Sequence, residues 1–289
     1  MSWFVLALLS AFFLGCYDLA KKKSVQDNAV RVTLFFCSAF YALFMSPLLL
    51  TGHCESLPLQ SHIYLFGKAA IVGGSWILTY NALAHLPLSI ATTIRALAPV
   101  FTIFIAVTFM GERPFALQWA GVAICICSYV GLSLAGRKEM GHFFSNGWVV
   151  MMVLGTLLAA CSGIYDKFIF QRMHFEPLVV QAWFSVYMAA FQFIICAVTW
   201  FPHRKQTTPF RFRWTFLLVA ILLIVADRCY FLAVSDQDAL ISIITVFRRS
   251  SVLVGFVAGL LIYKERKSKL KWAALFGIIL GICLIALGK

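Results

Sequence analysis

Two arginines, Arg248 and Arg249, stand side by side in the otherwise apolar stretch ALISIITVFRRSSVLVGFVAGLLIY, which runs from Ala239 to Tyr263. A third, Arg95, lies in a similar stretch of the first half, and Asp227 and Arg228 interrupt the apolar run that precedes the pair. A guanidinium is a permanent cation whose planar fork fits a carboxylate or a phosphate with two hydrogen bonds at once. The chemistry open to these residues is therefore the grip of an anion. Asp227 admits three roles: counter-ion to one of the arginines, protonatable coupling group, or contact to a cargo amine. Bond-breaking chemistry has no comparable support, because the sequence carries no phosphate-binding glycine loop, nucleophile elbow or metal-protease helix.

The elements that must position these residues follow from composition. The chain has 289 residues, of which 62% are hydrophobic and only 12% charged, whereas soluble domains are about half apolar and a quarter charged. This is the composition of an integral membrane protein. Apolar stretches near the span length of about 18 residues recur throughout. They predict an all-α fold of ten transmembrane helices over 2-20, 30-51, 63-84, 87-110, 115-135, 147-168, 177-201, 214-235, 239-262 and 271-288. The connecting loops are short, so any activity must be housed inside the bundle. Three lysines follow the first span and no basic residue precedes it, which reads as an ordinary first helix and not a cleaved signal.

A net charge of +13 would suggest nucleic acid in a soluble protein; here the cations lie mostly in loops, and the partner is the lipid bilayer. Fifteen Lys and Arg residues fall on the side opposite the termini. Five (Lys68, Arg113, Lys167, Arg172 and Lys289) fall on the terminal side. Basic flanks resist translocation, so the count alone puts both termini outside a plasma (inner) membrane. Eight of the nine cysteines lie within apolar spans and only Cys54 in a loop, a pattern without a disulfide framework or a metal quartet. No cofactor is implied.

The sequence is also written twice. At an offset of 153, Ser89, Ile90, Thr92 and Arg95 meet Ser242, Ile243, Thr245 and Arg248, and Glu112-Arg113 meets Glu265-Arg266. Tyr17-Asp18 meets Tyr165-Asp166 at 148, and Tyr80 meets Tyr230 at 150. The division is 1-137 and 138-289, five helices each. An odd number makes the second copy enter the bilayer from the opposite side, the inverted-repeat plan of secondary transporters. Arg95 and Arg248 then lie roughly 12-14 Å into a hydrocarbon layer about 30 Å thick. A cation at that depth costs about 2.5-3.5 kcal/mol and normally faces a bundle interior or an aqueous cavity.

Two five-helix halves, Pro99 inside the fourth helix, and the run MGERPFALQWAGVAICICSYVGL with Gly111, Glu112 and Gly121 together resemble the drug/metabolite transporter (DMT) superfamily, in its EamA-like ten-helix branch. The second half keeps Glu265 but has Val252 at the proline position and Lys264 at the glycine. The resemblance implies a small-metabolite carrier, often an exporter of amino acids or related compounds, with both termini in the cytoplasm, against the charge count.

Adjacent helical residues diverge by about 100°, so Arg248, the repeated arginine, is assigned to substrate and Arg249 to pairing. Arg95, Asp227 and Arg228 are further substrate-site candidates. Tyr80, Asn81 and Tyr230 are expected near the centre, to hydrogen-bond or stack on cargo or simply to pack. Asp18 and Asp166, with Tyr17 and Tyr165, admit two roles, helix-end salt bridges or proton coupling; Glu112 and Glu265 read as structural groups at tight turns. Four cations against one acid at this depth favour an anionic or zwitterionic metabolite, moved by alternating access. The competing readings are an intramembrane lipid-modifying enzyme and a non-catalytic assembly or sensory subunit.

Overall fold

The computed structural model describes residues 2-26, 28-50, 57-86, 94-95, 97-134, 147-204, 208-251, 253-255, 257 and 269-288. The boundary at 137/138, Glu265 and the Tyr80 side chain lie outside the described residues. The described residues form helices and no strand: α1 (Trp3–Val25), α2 (Val30–Leu50), α3 (Leu59–His85), α4 (Ala98–Phe109), α5 (Ala116–Leu134), α6 (Gly147–Lys167), α7 (Pro177–Thr199), α8 (Thr215–Ser235), α9 (Ile241–Arg249) and α10 (Lys269–Leu287). Among them α1, α2, α6 with the turn that follows it, α7 and α8 are each long and apolar enough to cross a membrane.

Several helices outrun their expected spans. α1 continues through the three lysines to Val25. α3 begins at Leu59, just after Pro58. α6 runs on into a π-helical turn, Phe168–Arg172, in which the Met173 N–H returns to the Phe168 carbonyl at 3.1 Å. Long polar side chains at a helix end cover apolar surface with their stems while their heads stay in water. Hydropathy therefore underestimates such helices.

The helices pair across the two halves. α1 lies on α8, with Ser10 Oγ donating to the Ala226 carbonyl and Ser24 Oγ to Thr215 Oγ1. α2 lies on α7, where Phe35 meets Phe193 and Gln181 Nε2 donates to the Tyr41 hydroxyl. α3 lies on α6, with Ser75 Oγ bonded to the Gly155 carbonyl. α5 lies on α10 through Gly121, Cys125, Ile278 and Gly281. In each pair rising numbers on one helix meet falling numbers on the other. α4 also packs on α9 and α6, and α9 on α1. Exchanging α1–α5 for α6–α10 leaves this set of pairings unchanged.

Both arginine-bearing helices are broken just past the arginine. The Leu97 N–H bonds the Ile94 carbonyl and the Val100 N–H bonds Leu97, both i to i+3; Ser250 bonds Phe247 and Leu253 bonds Ser250 in the same way. Residues 94, 97 and 100 stand 153 before 247, 250 and 253, the offset of the sequence repeat. The causes differ between the copies. Pro99 has no N–H to give to Arg95 and crowds its carbonyl, so α4 restarts with the proline in its first turn. The second half has no proline there; instead the Ser250 hydroxyl donates to the Phe247 carbonyl at 2.6 Å and competes with the ladder.

Gly121 makes a close backbone approach, since a Cβ there would stand 2.6 Å from the Gly281 carbonyl oxygen. Gly121→Val is expected to lower the thermal midpoint in detergent by about 5 °C, from an overpacking cost of about 1-3 kcal/mol. Gly131→Val, where a Cβ would meet nothing within 4 Å, should leave it unchanged.

Candidate functional site

One face of α8 organises the centre. Asp227, Tyr230 and Phe231 follow at i, i+3 and i+4, so they line a single side of the helix. All three are buried. Arg248 of α9 reaches this face: its Nη2 donates to Asp227 Oδ1 at 2.8 Å, and its guanidinium lies 3.9 Å from the centre of the Tyr230 ring. The Tyr41 hydroxyl approaches Asp227 Oδ2 at 3.4 Å and is itself held by Gln181 Nε2 at 3.1 Å. The Arg248 side chain keeps 25% of its surface exposed. It is therefore a paired cation that remains partly accessible.

One turn further along α8, a second ion pair is buried. Lys68 of α3 is bonded to Asp166 of α6 and is only 2% exposed. Its ammonium also lies 4.6 Å from the Phe231 ring centre and 4.8 Å from that of Phe184. The Tyr230 hydroxyl stands beside Gly163, one turn before Asp166, and faces that carboxylate. The two pairs thus share Tyr230 as a wall.

This arrangement corrects three expectations. Asp227 pairs with Arg248, not with Arg249, because the rotation of α9 turns the first arginine of the doublet toward α8. Asp166 is no helix-end group: the π turn carries the helix five residues beyond Lys167, and Asp166 is paired inside the bundle. Lys68, counted among cations flanking the terminal side, sits nine residues into α3 and is buried. It was the residue that sequence reasoning missed. A lone lysine inside an apolar stretch was the available signal, masked by a span start placed at 63 in place of 59. The expected balance of four cations to one acid also shifts, since Lys68 and Asp166 join both sides.

Other candidates lie away from the α8 face. Arg95, just before the break in its helix, is exposed, and Arg249 lies within electrostatic range of both Arg95 and Asp18. Asp18 is exposed well inside α1. Lys21, an expected partner of Asp18, places its ammonium 5.1 Å from the Tyr17 ring and 5.3 Å from that of Trp76. The Tyr165 hydroxyl donates to the Tyr64 carbonyl at 3.1 Å. Arg228 has a buried Nη1 without a hydrogen-bond partner among the described residues. Asn81 is one turn from the end of α3, where Arg31 Nη2 donates to it at 3.4 Å. It is not near the centre, since the midpoint of that 27-residue helix falls close to Val72.

At the terminal side the two halves are clasped. Gly111, at φ +70°, turns the chain after α4 and delivers the buried Glu112 to the start of α9. Its carboxylate accepts the Ile241 N–H at 2.7 Å, the Ser242 N–H at 3.1 Å and the Ser242 hydroxyl, and pairs with Lys167. Leu240 has no side chain able to cap α9, so Glu112 satisfies those orphan donors from the other half and places its charge at the positive end of the helix. Beside it, Gln171 Nε2 donates to the carbonyls of Val234, Asp236 and Ala239.

Residues 1-134 match the EamA-like transporter family. A protein of Streptantibioticus cattleyicolor named "Probable terminal-alkyne amino-acid exporter" is 31% identical over 103 residues, 33% of this chain. That match spans about a third of the exporter's length. The "Pseudopaline exporter CntI" of Pseudomonas aeruginosa is 22% identical over 99% of this chain and 95% of its own. A solved crystal structure overlays 99% of this chain and 96% of its own length with a TM-score of 0.75 at 15% identity, which establishes a shared fold. The family and the relatives' names are those of membrane transporters and not of enzymes.

Loss of the Glu112 carboxylate should be felt first in the α9 amides. Hydrogen bonds to a charged group contribute about 1.5-3 kcal/mol each and every 1.4 kcal/mol is tenfold. Hydrogen-deuterium exchange of Glu112→Ala is expected to accelerate at least about tenfold over 240-243 while peptides of α5 and α10 keep their protection.

Proposed function

We propose that this chain is a multi-pass membrane transporter of the EamA-like, drug/metabolite type, and that it is a secondary exporter of a small anionic or zwitterionic metabolite such as an amino acid. The observation that carries this reading is Arg248: a guanidinium held on the Tyr230 ring, paired with the Asp227 carboxylate and still partly open. An incoming carboxylate can take the fork by displacing Asp227. The Nη1 of Arg228, without a hydrogen-bond partner among the described residues, and the exposed Arg95 are carried as further candidate donors outside this face, and Tyr230 supplies a stacking wall. Five cations (Lys68, Arg95, Arg228, Arg248 and Arg249) face three carboxylates (Asp18, Asp166 and Asp227), so the surroundings stay positive until cargo arrives. Tyr80 and Asn81 are left as candidates for the route toward the face opposite the termini.

The mechanism proposed with this site is alternating access between two inverted five-helix halves, 1-137 and 138-289, making ten spans in all. Three features support it: the sequence repeat, the antiparallel pairings that survive exchange of the halves, and the helix break repeated at the offset of 153. Helices broken near the midplane are a recurring way to build a transporter site, because the freed backbone groups line a cavity and not lipid. In this reading the Glu112 and Gln171 contacts would close the terminal side, and the site would exchange with the opposite face. The basic side is proposed to be cytoplasmic and both termini outside. Proton coupling through Asp227, Asp18 or Asp166 is an accessory proposal.

The test is uptake of pooled radiolabelled amino acids by proteoliposomes. Because removing Arg248 alone strands a buried acid at about 3-5 kcal/mol, Arg248→Gln is combined with Asp227→Asn. The pair should fold and lose at least about tenfold of the uptake rate. A folded double variant that transports like the unaltered chain would refute the site. Equal rates with and without a pH gradient would remove proton coupling, and absence of protein-dependent uptake by the unaltered chain would favour a scaffold.

A further inference from the structure

Lys68 poses the problem of a fully buried ammonium with one carboxylate partner. A buried ion pair is a weak source of stability, since desolvating two charges offsets most of their attraction. The ammonium has three donors, yet among the described residues it has one hydrogen-bond acceptor, Asp166. Its other sides meet the faces of Phe184 and Phe231, which favour a cation but form weaker contacts than a carboxylate. Its donors are thus not exhausted where it sits.

What lies next to it gives the spare capacity a use. Phe231, on whose ring the ammonium rests, is one helical turn from Asp227 on the same face of α8, a rise of about 6 Å. Lys68 lies within electrostatic range of Asp227, and Asp166 within range of Arg248. Cargo that takes the Arg248 fork releases the Asp227 carboxylate inside a low-dielectric bundle. An unpaired carboxylate there costs several kcal/mol, and the cargo's affinity would be spent on that penalty unless a second cation received it.

We infer that Lys68 is the reserve counter-ion of the transport site: when cargo occupies Arg248, the displaced Asp227 carboxylate is held by the Lys68 ammonium, which it then shares with Asp166. This rests on the reading of Arg248 as the cargo-binding group. It makes Lys68 a positioning residue that acts through Asp227 and does not itself touch cargo.

The consequence is a dependence that a structural pair would not produce. Lys68→Gln with Asp166→Asn removes both charges and leaves no stranded ion, so the bundle should fold. In the chain that keeps Asp227, this change is expected to raise the KM for the pooled radiolabelled amino acids at least tenfold in proteoliposomes. With Asp227→Asn already present there is no displaced carboxylate to receive, and the same change should alter KM less than about twofold. Equal effects in the two backgrounds, or no effect in either, would overturn the proposal while leaving Arg248-dependent uptake in place. Absence of Arg248-dependent uptake in the otherwise unaltered chain would overturn the underlying reading and this one with it. Should the Lys68/Asp166 double variant not fold, Lys68→Met with Asp166→Leu, an uncharged apolar pair, is compared in the two backgrounds. A KM rise confined to the chain that keeps Asp227 would uphold the proposal, and an equal effect in both would overturn it.

Discussion

The need of a buried charge for a partner orders this bundle more than any other constraint. Arg248 cannot sit at depth alone, and the partner available to it, Asp227, lies on α8 at the one azimuth that also presents Tyr230 and Phe231. Once that contact is made, α9 has little freedom to rotate, and Arg249 is turned away toward Asp18 and Arg95. Lys68 and Asp166 repeat the logic between α3 and α6, fixing the register of a second cross-half pair. Apolar packing is permissive about rotation between helices in lipid, where the surroundings are as apolar as the contact. Ion pairs are not permissive.

Glycine and serine supply the complementary constraint, closeness. α5 and α10 meet backbone to backbone at Gly121 and Gly281, and serine hydroxyls tie α1 to α8 and α3 to α6 through main-chain carbonyls. These contacts use small residues because larger ones would hold the helices apart. The described residues therefore combine close helix seams with buried ion pairs, Arg248–Asp227 and Lys68–Asp166.

Much of this was legible in the sequence, for reasons that can be stated. Composition dictated a membrane bundle, and the matching stretches around Arg95 and Arg248 marked the helices that break; the break recurs at 94, 97 and 100 and again at 247, 250 and 253. Depth arithmetic singled out Arg248 and Asp227, which pair with each other, and equally Arg95, which is exposed. What failed was azimuth and ends. That adjacent arginines diverge by about 100° follows from helix geometry, but which one meets Asp227 is decided by packing against α1, α4 and α8. Asp166 was misjudged because a π turn is invisible to hydropathy, and Lys68 because four residues after Pro58 were taken for loop. Glu112 was read as a turn residue of the first half, while its bonds run to the second; no local pattern announces a cap contributed from 129 residues away.

That borrowed cap alters the mechanical identity of α9. Its leading end is fastened to a carboxylate that precedes it by 129 residues, and at its trailing end the regular helix gives way to i to i+3 bonds at Ser250. Any tilt of the first half would be transmitted to the guanidinium as by a crank. Sequence order sets α9 beside α8 and α10, while its bearings are set by a turn far earlier in the chain.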